Sequence, residues 1–169
     1  AVLPTTRPVC AALAAESSML SAVPKSWFSR DYEFIANGAV VAKIDLSIFR
    51  ERGTLTIHGQ DFEFGRESLW AGTFFLRRAG ATVVTAKKPS VFRRELQVKF
   101  GGRAFSLVVA SFFGRRFLLR EGGREVGSVA PAHMFTRKAI VDLPESLPLE
   151  VQVFMAWLVI NIWQRNDSD

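Results

Sequence analysis

The most constraining feature of this 169-residue chain is an apolar segment near its end, Leu147 to Trp163, with the sequence LPLEVQVFMAWLVINIW. It contains no glycine, and from Val153 onward it is apolar on nearly every face of a helix. Pro148 and the residues before it are typical of a helix start. A helix that is apolar all round has to be buried, so we expect an enclosed helix at about residues 145–164.

Two environments could bury such a helix, a bilayer or the interior of a protein. Spanning a bilayer takes about 20 predominantly apolar residues, with roughly 17 as the lower limit. The segment only just reaches that length, and it carries Glu150, Gln152 and Asn161, which are costly in hydrocarbon. These residues favour a protein core, and a C-terminal membrane anchor is the alternative.

The chain before this segment has the pattern of an all-β sandwich or barrel. From Tyr32 onward, short alternating segments recur between turn signals. Asn37-Gly38 is a strong hairpin signal because both residues tolerate positive φ. Further turn signals stand at His58-Gly59, Ala79-Gly80, Pro89-Ser90, Gly101-Gly102, Phe113-Gly114 and Gly122-Gly123. We therefore expect an antiparallel meander whose strands run in sequence order.

The order of these elements resembles a known family. A run of about a dozen strands ends in Arg137 to Pro144 (RKAIVDLP) and passes into the apolar helix that finishes at Trp163. In this respect the chain is similar to the tubby C-terminal-like superfamily, especially its LURP-one-related and phospholipid-scramblase-like branches. The resemblance implies a mainly β protein, a closed antiparallel β-barrel of about 12 strands enclosing a central hydrophobic C-terminal α-helix. We expect this domain at residues 27–165, after an N-terminal extension at residues 1–26.

Two properties of that family are not carried over to this chain. Scramblase-like members have an acidic, calcium-associated segment near the final helix, whereas Asp142, Glu145 and Glu150 lack the spacing of an oxygen-ligand loop. Tubby proteins bind phosphoinositide headgroups through basic residues, and none of those positions is transferred here. We therefore predict no calcium site from the resemblance.

Residues for catalysis or for a metal site are scarce. Cys10, His58 and His133 are far apart and have no paired spacing, so we expect neither a metal nor a cofactor. No nucleophile motif appears, and Gly122-Gly123 is interpreted as a hairpin turn rather than a phosphate-binding loop. The single cysteine excludes an intramolecular disulfide. We expect a non-enzymatic, cytoplasmic protein that can associate peripherally with the membrane.

Basic residues are concentrated in the middle of the chain. Residues 71–140 hold fourteen Lys and Arg against three Glu, and the whole chain carries a net charge of +6. In a meander, the connections near 88–91, 113–114 and 131–135 share one end of the barrel. The residues predicted to form a basic rim there are Lys87, Lys88, Arg93, Arg94, Arg115, Arg116, Arg137 and Lys138.

A phenylalanine lies in or directly beside each of these connections, and basic residues beside apolar ones suit a lipid headgroup region. We therefore hypothesise peripheral binding of anionic phospholipid or phosphoinositide through the basic rim. Three alternatives stay open. The bases could only keep strand ends soluble while Phe135 and its counterparts point into the barrel. They could bind nucleic acid, or the domain could serve as a protein-interaction scaffold.

Overall fold

A computed structural model describes residues 19–47, 52–68, 70, 72–89, 94–111 and 114–167. Within these residues the chain forms twelve β-strands and one α-helix. The elements are β1 (Leu20–Pro24), β2 (Tyr32–Ala36), β3 (Ala39–Leu46), β4 (Arg52–Ile57), β5 (Gln60–Arg66), β6 (Thr73–Arg78), β7 (Ala81–Lys87), β8 (Glu95–Phe100), β9 (Arg103–Val109), β10 (Phe117–Glu121), β11 (Arg124–Pro131), β12 (Ala139–Asp142) and α1 (Leu149–Asn166).

The strands form a closed antiparallel barrel. Each strand pairs with its neighbour in sequence, and β1 pairs with β12 in the register Leu20↔Val141 to close the cylinder. Alternate residues point inward, as Leu96 and Val98 of β8 do, while Gln97 and Lys99 are exposed. The predicted meander, the number of strands and the closed barrel are confirmed.

The barrel begins earlier than the sequence predicted. The sequence predicts an extension at residues 1–26, but Leu20–Pro24 is β1, hydrogen-bonded to β2 on one side and β12 on the other. That boundary is wrong because β1 is short and turns only Leu20 and Ala22 fully inward, too few residues for a visible alternation. Residues 1–18 lie outside the described residues.

The two ends of the barrel differ. At one end, here called the turn end, five hairpins close with two-residue turns in which both residues have positive φ, from Asn37-Gly38 (50° and 77°) to Gly122-Gly123 (56° and 78°). Mirror-image turns of this kind match the twist of paired strands. At the opposite end, here called the loop end, the connections are longer. They are residues 25–31, 47–51, 67–72, 88–94, 110–116 and 132–138.

Helix α1 fills the barrel. All eight residues from Val153 to Ile160 are buried, which is more than two full turns and therefore every face of the helix. Trp157 packs edge-on against Phe64 of β5, with ring centroids 4.6 Å apart, and against Phe74 of β6 at 5.9 Å. The sequence argument that this segment lies in a protein core is confirmed.

The helix runs from the turn end to the loop end. Strand β12 reaches the turn end at Asp142, and residues 143–148 lead the chain inward. The helix begins four residues later than predicted because Pro148 precedes it in an extended conformation, with φ −55° and ψ 152°. Across the described residues, no helix has both the length and the apolar character needed to cross a bilayer.

Candidate functional site

Every exposed aromatic side chain in the described part of the protein lies at the loop end. Trp27 and Phe28 are 75% and 92% exposed in the β1–β2 loop, and Phe135 is 92% exposed in the β11–β12 loop beside the exposed Met134. Trp70, 96% exposed, stands in the β5–β6 loop on the other side of the barrel. Leaving such surface in water is unfavourable, and clustered exposed apolar groups mark interaction surfaces.

The outward position of Phe135 decides one question that the sequence left open. An inward Phe135 would have contributed only to the core, but its side chain is almost fully exposed. The interpretation that Phe135 points into the barrel is therefore wrong. Phe92, Phe112 and Phe113, to which the same question applied, lie outside the described residues.

Arg137 holds two of these loops together. Its guanidinium donates to the carbonyl oxygens of Trp27 and Ser29, at 2.5 Å for Ser29, and its centre lies 6.0 Å from the ring centroid of Tyr32. The Tyr32 hydroxyl donates in turn to the Arg137 carbonyl at 3.2 Å. Burial raises the pKa of the Tyr32 phenol, which therefore stays protonated and keeps its role as a donor. Arg137 thus joins the β1–β2 loop to the β11–β12 loop.

Arg115 ties the end of the helix to the same region. Its guanidinium lies 4.9 Å from the ring centroid of Trp163, and its carbonyl accepts a hydrogen bond from the indole N–H at 2.8 Å. The guanidinium also reaches the carbonyl of Thr136 at 3.5 Å and the carboxylate of Asp167 at 3.8 Å. Of the predicted rim residues, Arg115 and Arg137 are therefore both engaged with the protein itself.

The other described residues of the predicted rim point into solvent. Lys87, Lys88, Arg94, Arg116 and Lys138 are exposed, and in the described part of the chain none of them has an ion-pair partner. Arg93 lies outside the described residues. The structure thus places seven of the eight predicted rim residues at the loop end and divides them into two structural arginines and five solvated bases.

Three carboxylates at the loop end are occupied. Asp45 pairs with Lys25 at 2.5 Å, Asp167 approaches Arg115, and Asp31 accepts a backbone N–H of β3 at 2.9 Å. These three acids are therefore engaged with other groups, whereas Glu95 directly follows Arg94 at the start of β8.

The turn end is electrostatically different. Arg103 donates to both carboxylate oxygens of Glu121, at 2.9 and 2.8 Å, and these hydrogen bonds lower the pKa of Glu121. Gly122-Gly123 is a hairpin turn followed directly by β11, as predicted. The described residues contain no group of three or more His, Cys, Asp or Glu side chains able to hold a metal ion.

Sequence reasoning missed Trp27, Phe28, Trp70 and Met134 as parts of this surface. The sequence pattern predicts Trp27 as the first residue of the barrel, although the neighbouring Phe28-Ser29-Arg30 combines an aromatic with a base in a polar stretch. That combination is the signal that could have identified the β1–β2 loop.

These observations define the class of protein as a closed twelve-stranded antiparallel barrel around a C-terminal helix, with an aromatic and basic surface at one end. Comparison with protein families, with curated proteins and with solved structures finds no match to the chain.

Replacing Arg137 with alanine is expected to lower the free energy of unfolding by about 2 kcal/mol, because hydrogen bonds to a charged group are lost and two carbonyls lose their partner. Lys138→Ala, one residue away and exposed, should change it by less than about 0.5 kcal/mol. Urea denaturation followed by circular dichroism measures both. Equal stability of the two variants would contradict the bridging role of Arg137.

Proposed function

We propose that this protein binds anionic phospholipid membranes peripherally through the loop end of its barrel. In this function the exposed aromatic side chains enter the headgroup region, and the solvated bases pair with lipid phosphate. In this proposal the protein acts as a non-enzymatic binding module, and its order of strands and helix, which resembles that of tubby-like, LURP-one-related and scramblase-like domains, supports the proposal.

One observation carries this function, the presence of exposed aromatics and unpaired bases at the same end of the barrel. Trp27, Phe28 and Phe135 are aromatic groups of the kind that partition to a membrane interface. Lys88 and Lys138 are exposed at the same end, and each base near an anionic surface contributes about 1 kcal/mol. When the loop end faces a membrane, the aromatic side chains can therefore insert while the lysines attract the anionic lipid.

The engaged arginines support the same function indirectly. Because Arg137 binds the carbonyls of Trp27 and Ser29, the aromatic tips sit on loops that are already ordered before any membrane is met. Less conformational entropy is then lost on binding, which favours affinity.

Vesicle sedimentation tests the function. The full chain should pellet with phosphatidylcholine vesicles that contain phosphatidylserine or a phosphoinositide, and remain in the supernatant with phosphatidylcholine alone. Added salt should weaken the binding, since exposed charges are screened. Equal recovery with neutral and anionic vesicles would refute lipid binding. A steep, salt-dependent affinity for single-stranded DNA without vesicle binding would show instead that the same aromatics and bases serve nucleic acid.

The double substitution Lys88→Glu/Lys138→Glu is expected to weaken binding to anionic vesicles by about thirtyfold or more, because two favourable contributions of about 1 kcal/mol each are lost and reversed. The matched control is Lys99→Glu/Arg120→Glu, which changes the net charge equally on exposed residues close to the turn end. The control should retain most of the binding. Equal losses in the two variants would mean that overall charge, not the loop end, attracts the membrane.

A further inference from the structure

We propose that the groove between the β1–β2 and β11–β12 loops holds the alkyl chain of one anionic single-chain amphiphile, such as a fatty acid, with the acid group beside Lys138. This inference rests on the lipid-binding function proposed above and names the part of the lipid that the loop end recognises.

The groove follows from the closure of the barrel. Because β1 pairs with β12, the loops at residues 25–31 and 132–138 lie side by side. They enclose a groove of about 440 Å³ whose walls include Pro24, Trp27, Met134 and Phe135. This volume lies within the range of about 300–1,000 Å³ that is usual for small-molecule sites, and such sites are mainly apolar with a few polar groups.

Arg137, which also lines the groove, joins its two walls. Arg137 extends from the β11–β12 loop to the carbonyls of Trp27 and Ser29 in the β1–β2 loop. The two walls therefore stand at a fixed separation, while Met134 is a flexible side chain that can adapt to the shape of a bound chain. A groove of this kind is formed before its ligand arrives.

The charge at the edge of the groove selects the ligand. Lys138 lines the groove, is exposed, and has no carboxylate partner among the described residues. An alkyl chain alone would gain burial without charge pairing, and a short acid would gain pairing without burial. A chain that ends in an acid group gains both.

A peptide fits this surface less well. Peptides commonly bind by adding a strand to a free sheet edge, and the closed barrel leaves no free edge among its twelve described strands. The groove also lies between two loops rather than along a sheet.

Quenching of tryptophan fluorescence by terminally brominated dodecanoate, below its aggregation concentration, tests the inference on the full chain. The ligand should quench wild type, and the quenching should be lost in Trp27→Phe and retained in Trp70→Phe. Trp70 is the matched control because it is exposed at the same end but on the opposite side of the barrel. Quenching that survives Trp27→Phe, or none in wild type, would overturn the inference.

Competition with unbrominated ligands distinguishes the contribution of the alkyl chain to binding from that of the acid group. Dodecanoate should displace the brominated probe, whereas dodecanol and butyrate should need concentrations at least about tenfold higher, because each lacks one of the two contributions. Equal displacement by dodecanoate and dodecanol would overturn the role of Lys138.

A last pair of variants distinguishes dodecanoate binding in the groove from vesicle binding by the loop end. Met134→Glu should weaken dodecanoate binding by about tenfold or more, since it places a carboxylate in the apolar groove. Trp70→Glu should weaken vesicle binding but leave dodecanoate binding unchanged. Vesicle binding without dodecanoate binding in wild type would overturn the groove alone, and loss of both would overturn the proposed function as well.

Discussion

Replacing Trp157 with alanine is expected to destabilise the protein by about 3–5 kcal/mol, as large-to-small changes of core aromatics do. Trp157 is only 3% exposed, and it contacts Phe64 and Phe74 of the barrel wall as well as Phe154 of the helix itself. Removal of the indole therefore leaves a cavity at the point where helix and barrel meet. Urea denaturation monitored by far-ultraviolet circular dichroism measures the loss.

Trp70→Ala provides the matched control, because the same side chain is removed from a position that is 96% exposed. Its free energy of unfolding should stay within about 0.5 kcal/mol of wild type. If Trp157→Ala were as stable as Trp70→Ala, the helix would not be a structural core of the barrel.

Replacing Gly127 with alanine is expected to destabilise the protein by about 3 kcal/mol, at the upper end of overpacking costs. A Cβ at Gly127 would lie 2.5 Å from the carbonyl oxygen of Asp142 and 3.1 Å from the Cα of Leu143. Both are backbone atoms, at the point where the chain leaves β12 and turns toward the barrel interior. These atoms cannot move without shifting residues 143–148, which lead from β12 into α1.

Gly72→Ala is the control for this substitution. A Cβ there would meet Lys88 at 3.4 Å or more, which is close to ordinary contact, and Gly72 does not have a positive φ. Its midpoint of thermal unfolding should remain near that of wild type, whereas that of Gly127→Ala should fall by several degrees. Equal midpoints would show that the close passage at Gly127 carries no strain.

The fold was largely predictable because its signals are local. Asn37-Gly38 and Gly122-Gly123 fix tight hairpins through positive φ, and the all-round apolar surface from Val153 onward demands an enclosed environment. Strand β1 was missed because it has no such signal. Its place in the barrel is set by the open edges of β2 and β12, which only the assembled sheet provides.

The candidate site was predictable only in its position. A meander places alternate connections at one end, so the sequence could group Lys88 and Lys138 correctly. It could not separate them from Arg137, because the carbonyls that occupy Arg137 belong to residues 27 and 29, more than a hundred positions away in the chain. A sequence shows which residues are charged, but tertiary contacts decide which of these charges are bonded within the protein and which face solvent.

The location of the filling helix after all twelve strands also affects how the protein is made. While the ribosome is still producing the strands, the segment that covers their apolar inner faces has not yet been synthesised. Closure between β1 and β12 joins segments that emerge far apart in time. The barrel can therefore be completed only after residues 20–166 have all been synthesised, and until then its strands present unpaired edges and uncovered apolar faces.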